Sequence, residues 1–205
     1  MINYSSLINK INVHYQPNLL TEEEANRYFD ILEKNVTYNS PEESKFKIFG
    51  KEVDIPRKQV GYGSPGLSYK FANTTVHAKP WDDDDIVCNT LIMIKKRVEL
   101  VTKKKFNFVL INRYEDGNQY IGFHRDDEKE LGDKPDVVGV SLGAERTIKF
   151  KSKENDNKYE IELQHGSMVS MLWPTNEYWQ HSIPKQPLVK TPRISLTFRY
   201  IYNEH

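Results

Sequence analysis

Asn112–Glu128 reads NRYEDGNQYIGFHRDDE, and its two halves carry different information. The first half closes an alternating run, FNFVLINRY, that places Phe108, Leu110, Asn112 and Tyr114 on one face of a strand. A turn around Gly117 follows. The second half then sets His124 and Asp126 two residues apart. On an extended backbone, positions i and i+2 project from the same face, so this imidazole and carboxylate can bind one ion. A third ligand has to come from far along the chain, and His181 in YWQHSIP is the best candidate. Two histidines and one carboxylate leave open coordination positions, the arrangement that suits non-haem Fe(II) oxygenase chemistry. In a chain with this much aspartate a His-x-Asp pair also arises by chance, so the surroundings carry the weight.

Downstream the period-two pattern continues. Val140–Phe150 reads as two short strands joined at Gly143-Ala144-Glu145, and Tyr159, Ile161 and Leu163 alternate with Glu160, Glu162 and Gln164. An apolar run, Met168–Trp173, ends at Pro174. RISLTFRYIY then puts Ile194, Leu196, Phe198 and Tyr200 on one face and Arg193, Ser195, Thr197 and Arg199 on the other.

Upstream, Thr21-Glu22-Glu23-Glu24 reads as a capping box, and Ala25, Tyr28, Phe29 and Leu32 predict a helix near 21–35. Val87, Leu91, Ile94, Val98 and Val101 form the stripe of a second helix. Asp82–Asp85 stand at its start, where negative charge complements the dipole, and Lys103–Lys105 close its end. Residues 39–80 break into short strands and turns; residues 1–19 are apolar enough to touch the core without declaring a structure. Two helices followed by many short strands predict an α+β, mainly β chain: an antiparallel sandwich or jelly roll with helices outside.

With 205 residues, 38% hydrophobic and 12% aromatic, the chain can bury a sizeable core. Lys+Arg and Asp+Glu are both 29, so no global charge advertises a polyanionic partner. One cysteine, Cys88, excludes an internal disulfide and fits a reducing compartment. The start lacks a signal-peptide core and no run reaches membrane-spanning length, which predicts an intracellular protein without a membrane partner.

The last strand admits two readings. Its Arg-x-Ser-x-Thr-x-Arg face is either the solvent side of an edge strand, or a pair of guanidinium groups that grip a dianion by parallel hydrogen bonds. Asn112 and Tyr114, facing the same way just before His124, can serve the same ligand.

Taken in order, FGK, PRKQVGYGSPGLSYKF, KPW, NRYEDG, IGFHRDDEKELG, HGSMVSML, PTNEYWQHSIP and PRISLTFR resemble the AlkB family of Fe(II)- and 2-oxoglutarate-dependent dioxygenases. The likeness covers about residues 46–201 and is greatest to the family's animal branch that repairs alkylated bases in duplex DNA. The resemblance implies a double-stranded β-helix (jelly roll), with a catalytic core over 106–205. Residues 1–105 would be an extension with helices and a nucleotide-recognition lid, the two together forming one compact domain. It implies Fe(II), 2-oxoglutarate and O2. Iron would be held by His124, Asp126 and His181. The cosubstrate would be held by Asn112, Tyr114, Arg193, Thr197 and Arg199, with Arg193 on the distal carboxylate and Arg199 nearer the chelating end. The implied reaction hydroxylates an N-methyl group of 1-methyladenine or 3-methylcytosine, and the product falls apart to formaldehyde and the repaired base.

An in-helix base must be extruded before its methyl group can be reached, and an apolar side chain can fill the gap in the stack. The resemblance makes Phe49-Gly50-Lys51 the tip of an intercalating hairpin, with Phe49 as the wedge; taken alone, Phe49 would be read as a core residue. Tyr69, Lys70 and Phe71 would line the base pocket, Arg57 would meet DNA or the Asp127-Glu128 pair, and Asp127 would touch the base. His165, beside Gly166, reads as a turn histidine or a support for a ligand. Loop 151–159 mixes charges, and only Lys185 and Lys190 follow His181 before Arg193. Because phosphate contacts dominate affinity, this predicts weaker duplex binding or a single-strand preference. The expected partner is alkylated DNA, duplex or single-stranded, met by a monomer that is nuclear if the source is eukaryotic. RNA as substrate, a non-catalytic nucleic-acid-binding jelly roll with a structural metal, and a protein hydroxylase are the competing readings.

Overall fold

The computed structural model describes residues 1–40, 45–48, 51–71 and 74–202. Its strands are β1 (Ile2–Asn3), β2 (Val13–Gln16), β3 (Lys45–Ile48), β4 (Lys51–Asp54), β5 (Lys58–Gly63), β6 (Ser68–Phe71), β7 (Thr74–Pro80), β8 (Phe108–Tyr114), β9 (Ile121–His124), β10 (Val137–Gly143), β11 (Arg146–Ser152), β12 (Lys158–Leu163), β13 (Met168–Met171), β14 (Trp179–Ile183) and β15 (Arg193–Arg199). The helices are α1 (Glu22–Asn35), α2 (Ile86–Thr102) and the short α3 (Thr175–Tyr178). The large sheet runs β1-β2-β13-β10-β15-β8-β5-β7-β6, and a four-stranded sheet runs β12-β11-β14-β9. Strands β8 to β15 pass back and forth between the two sheets as a jelly roll, apart from the β11–β12 hairpin within the small sheet, and all pair antiparallel.

Side-chain alternation sorts the molecule into three layers. From β8, β10 and β15, the residues Val109, Ile111, Val138, Val140, Leu142, Ile194, Leu196 and Phe198 pack with Tyr28 and Leu32 of α1 and Leu91, Ile94 and Val98 of α2. The other face of the same strands looks into the sandwich, where Val137, Val169 and Met171 meet Ile148, Phe150, Ile161, Leu163 and Trp179 of the small sheet. Strand β8 is therefore buried on both faces. The polar stripe of β15 is interior, not the solvent side of an edge strand, because β10 and β8 flank it on either edge.

The helices begin where side chains replace missing backbone acceptors. Thr21 Oγ1 accepts from the Glu24 amide at 3.2 Å, and a Glu24 carboxylate oxygen accepts from the Thr21 amide at 2.9 Å, the complete capping box that the sequence predicts. At α2 only Asp85 caps: its Oδ1 accepts from the Val87 and Cys88 amides at 2.7 and 2.9 Å. Asp82–Asp84 lie ahead of the helix, so the four-aspartate run contributes one cap.

The structure also fills in or changes other readings. Residues 1–19 supply β1 and β2, and β2 pairs with β13, extending the large sheet. Strand β15 ends at Arg199, so Tyr200 leaves the apolar face and is exposed. Trp173, at the end of the apolar run, is exposed as well. Among the described residues no helix is long and apolar enough to cross a membrane.

Hydrogen bonds from the Cys88 and then the Val87 amide hold the Asp85 carboxyl below its ordinary range. A depressed folded pKa contributes stability above the unfolded value that is lost as pH falls through the folded one. Replacing Asp85 with Ala should cost about 1 kcal/mol at neutral pH. In urea titrations the difference from wild type should shrink once the pH drops below the ordinary aspartate value of 3.8; a pH-independent difference would contradict capping by the charged form.

Candidate active site

The small sheet brings His124 and His181 together: they are direct partners across β9 and β14, with ring centroids 4.2 Å apart. After His124 the chain leaves the strand, and the Asp126 amide reaches Asn176 Oδ1 of α3 at 3.5 Å. That turn directs the Asp126 carboxylate inward. His181 Nε2 lies 3.6 Å from Asp126 Oδ2, and one ligand atom from each of His124, Asp126 and His181 falls within 4.8 Å of the others. Asp126 is 1% exposed.

Asp126 is divided between two tasks. Its Oδ1 accepts from Arg199 Nη2 at 2.7 Å, while its buried Oδ2 has no hydrogen-bond partner among the described residues. A buried carboxylate oxygen left unpaired is costly, and a cation bridging it to the two histidines removes the cost. The donor set therefore fits a divalent metal of the two-histidine, one-carboxylate class.

The protonation states agree. Burial, and then the His124 ring beside it, push His181 down to about 3, so its imidazole is neutral at pH 7. Burial alone would favour protonated Asp126, but Arg199 and the two histidines outweigh it and hold the carboxyl well below its usual range. His124 Nδ1 sits 3.0 Å from the Gly122 carbonyl oxygen; protonated there, it donates to that oxygen and Nε2 becomes the lone-pair nitrogen.

These groups border a cavity between the sheets. Asn112, Tyr114, Arg193, Thr197 and Arg199, all singled out in the sequence, line it together with the three candidate ligands. Arg193, 3% exposed, donates from Nε and Nη2 to Ser141 Oγ at 3.2 and 2.7 Å and lies 5.4 Å from the Tyr114 ring centroid. Burial lowers its pKa to about 10, which leaves it cationic at neutral pH. The cavity thus holds a cation at each end of β15, as a dianionic ligand requires.

Other predicted residues fall elsewhere. Arg57, expected to meet DNA or the Asp127-Glu128 pair, is buried in the cavity wall, its Nε donating to Asn112 Oδ1 at 2.8 Å. Tyr69, expected to line the base pocket, is fully buried, tilted against Phe108, with the Arg199 guanidinium 4.8 Å from its ring centroid. Lys70 is exposed, and Asp127 is exposed and ion-paired with Arg125. Strands β3 and β4 pair as a hairpin up to Ile48↔Lys51, and Phe49 and Gly50 lie outside the described residues. The Lys51 and Phe71 backbones belong to β4 and β6. His165 turns away from the cavity: its Nδ1 accepts from the Gly143 amide at 2.8 Å, and Nε2 is 3.1 Å from Asn26 of α1.

Sequence reasoning missed Ser141, Glu128 and Arg146. Glu128 looks like a solvated loop acid but is turned inward, and burial, then Asp126, raise its pKa to about 7. Arg146, 1% exposed, donates to the carbonyl oxygens of Asp116, Gln119 and Pro184 and to Gln186 Oε1. It clamps the two loops that lead into β9 and out of β14. Gly117 of the same clamp admits no side chain, since a Cβ there would stand 1.7 Å from the Gln186 carbonyl oxygen.

The 2OG-Fe(II) oxygenase superfamily profile matches residues 12–199. The chain belongs to that superfamily. Its members use Fe(II), 2-oxoglutarate and O2, the ligands that a two-histidine, one-carboxylate trio beside a two-arginine cavity suits. Relatives sharpen the placement. DNA oxidative demethylase ALKBH2 of Bos taurus is 42% identical over 191 residues, covering 89% of this chain and 66% of its own length. The Homo sapiens protein of that name is 41% identical, with 89% and 71% covered. Alpha-ketoglutarate-dependent dioxygenase alkB homolog 3 of Mus musculus is 34% identical over 157 residues, with 72% and 52% covered. The chain thus spans about two thirds of the length of the bovine relative.

Ser141 orients a buried cation, and hydrogen bonds to charged groups contribute about 1.5–3 kcal/mol. Replacing Ser141 with Ala should lower unfolding stability by that amount in urea titrations. An unchanged midpoint would mean that Arg193 is held by other groups.

Proposed function

We propose that this protein is a 2-oxoglutarate-dependent dioxygenase that oxidatively demethylates alkylated DNA bases, 1-methyladenine and 3-methylcytosine among them. His124, Asp126 and His181 hold Fe(II), and Asn112, Tyr114, Arg193, Thr197 and Arg199 hold the cosubstrate. The observation that carries the reading is the split carboxylate of Asp126, one oxygen fixed by Arg199 and the other buried beside two histidines with no hydrogen-bond partner among the described residues. DNA as the substrate is supported by the names of the ALKBH2 relatives.

Fe(II) with 2-oxoglutarate and O2 supplies, when bound, the oxidant for a C–H bond. The residues of the chain do the rest. Arg193 is preset by Ser141 and Tyr114 to pair with a carboxylate by two parallel hydrogen bonds. Arg199 keeps Asp126 ionised and fixes its angle. Apolar Leu110, Ile148, Leu163 and Ile183 in the cavity wall exclude water, which strengthens both ion pairs. The methyl group is hydroxylated, and the N-hydroxymethyl product decomposes to formaldehyde and the unmodified base.

The test is a single-stranded oligonucleotide carrying 1-methyladenine, with Fe(II), 2-oxoglutarate and ascorbate. Wild type should release formaldehyde and restore adenine; Asp126→Ala should fall to background, and a chelator should stop both products. Arg193→Gln should raise the KM for 2-oxoglutarate about tenfold or more, the loss of a charge-assisted pair. Succinate without base repair would keep the oxygenase and discard the DNA lesion. Repair surviving in Asp126→Ala would overturn the metal assignment.

A further inference from the structure

The strand that delivers His124 to the cavity also carries the protein's least expected surface. Phe123 and Tyr120 are exposed by 44% and 37%, on and just before β9, which is an edge strand of the small sheet. The register of β9 against β14 shifts between Ile121 and His124, so both side chains line the cavity while Phe123 between them faces out. A lone exposed ring needs no explanation, yet both of these lie under a lysine. Lys151 Nζ is 4.9 Å from the Phe123 ring centroid, and Lys185 Nζ is 4.9 Å from that of Tyr120. Among the described residues neither lysine has a carboxylate within ion-pair distance, whereas nearby Lys149 and Arg125 are paired with Glu160 and Asp127.

The rings border the active site. Phe123 adjoins a candidate iron ligand in sequence, and the Tyr120 carbonyl oxygen accepts from Nη1 of Arg57, a cavity-wall residue, at 3.5 Å. The lysines are placed by structured backbone. Lys151 of β11 pairs with Gln180 of β14, next to His181, and Lys185 precedes Gln186, whose amide donates to the Gly117 carbonyl oxygen at 2.8 Å.

We infer that Phe123 and Tyr120, with Lys151 and Lys185, form a stacking platform for unpaired bases of single-stranded DNA flanking the base in the cavity. The inference deepens the proposed function and rests on it. Every base offers a π face to an aromatic ring, and a lysine beside the ring meets the phosphate of the same nucleotide. A duplex, with its bases stacked on one another, offers no such face. The platform therefore favours single strands near the lesion.

The experiment measures fluorescence anisotropy of a labelled, unmethylated single-stranded oligodeoxynucleotide with wild type, Phe123→Leu, Phe123→Trp and the Phe123→Leu/Tyr120→Leu double variant. Leucine keeps the apolar bulk and removes the π face. Each lost stack should weaken binding roughly five- to hundredfold, Phe123→Trp should bind at least as tightly as wild type, and duplex affinity should change little. Uncoupled conversion of 2-oxoglutarate to succinate without DNA, which needs no platform, should stay at the wild-type rate in all variants and so reports an intact site. Equal affinity of the double variant and wild type would overturn the platform while leaving the proposed function standing. Failure of wild type to bind this unmethylated single strand would also overturn the platform, while the proposed function stands or falls on repair of the methylated oligonucleotide.

Discussion

The ion pair between Asp126 and Arg199 is the interaction on which the rest of the site depends. Both groups are buried, where an unpaired charge is prohibitively unfavourable. Pairing them at 2.7 Å keeps each ionised, but it occupies only one carboxylate oxygen. Among the described residues the second oxygen has no hydrogen-bond partner, and the imidazoles of His124 and His181 lie beside it. A protein selected only for stability would fill such a position with apolar side chains. Here the unsatisfied oxygen marks where a cation belongs.

The jelly roll makes this pairing possible through simple alternation. On β15 every second residue packs on α1 and α2, and the residues between face the cavity, so one strand serves both the core and the site. The small sheet contributes the histidines in register, and the large sheet contributes the arginines. Arg146 and Gly117 fasten the connecting loops across the end of the sandwich, so the approach of the two sheets is fixed by hydrogen bonds as well as by apolar burial.

Much of this was legible in the chain because it depends on local periodicity. The capping box at Thr21, the helical stripe of α2 and the two-residue alternation of β8 and β15 are short-range patterns, and each matches the structure. His124 and Asp126 could be paired from their spacing, and the backbone brings them and His181 within ligand distance of one another. What stayed hidden depends on burial and on distant partners. A lone Arg146 or Ser141 looks like any surface polar residue until the loops close over it. The burial of Arg57 and Tyr69 was not legible either, because a motif gives an order along the chain and no depth. Residues 1–19 lack a strong period because β2 needs β13 beside it to form a strand at all.

The central claim is that His124, Asp126 and His181 form one cation site that a dianion held by Arg193 and Arg199 completes. Its most direct test is an anaerobic Mn(II) titration followed by electron paramagnetic resonance, with and without 2-oxoglutarate. The account predicts one tightly held ion per chain, bound more tightly when 2-oxoglutarate is present because the cosubstrate supplies further ligands. No bound ion, or an affinity indifferent to 2-oxoglutarate, would contradict it.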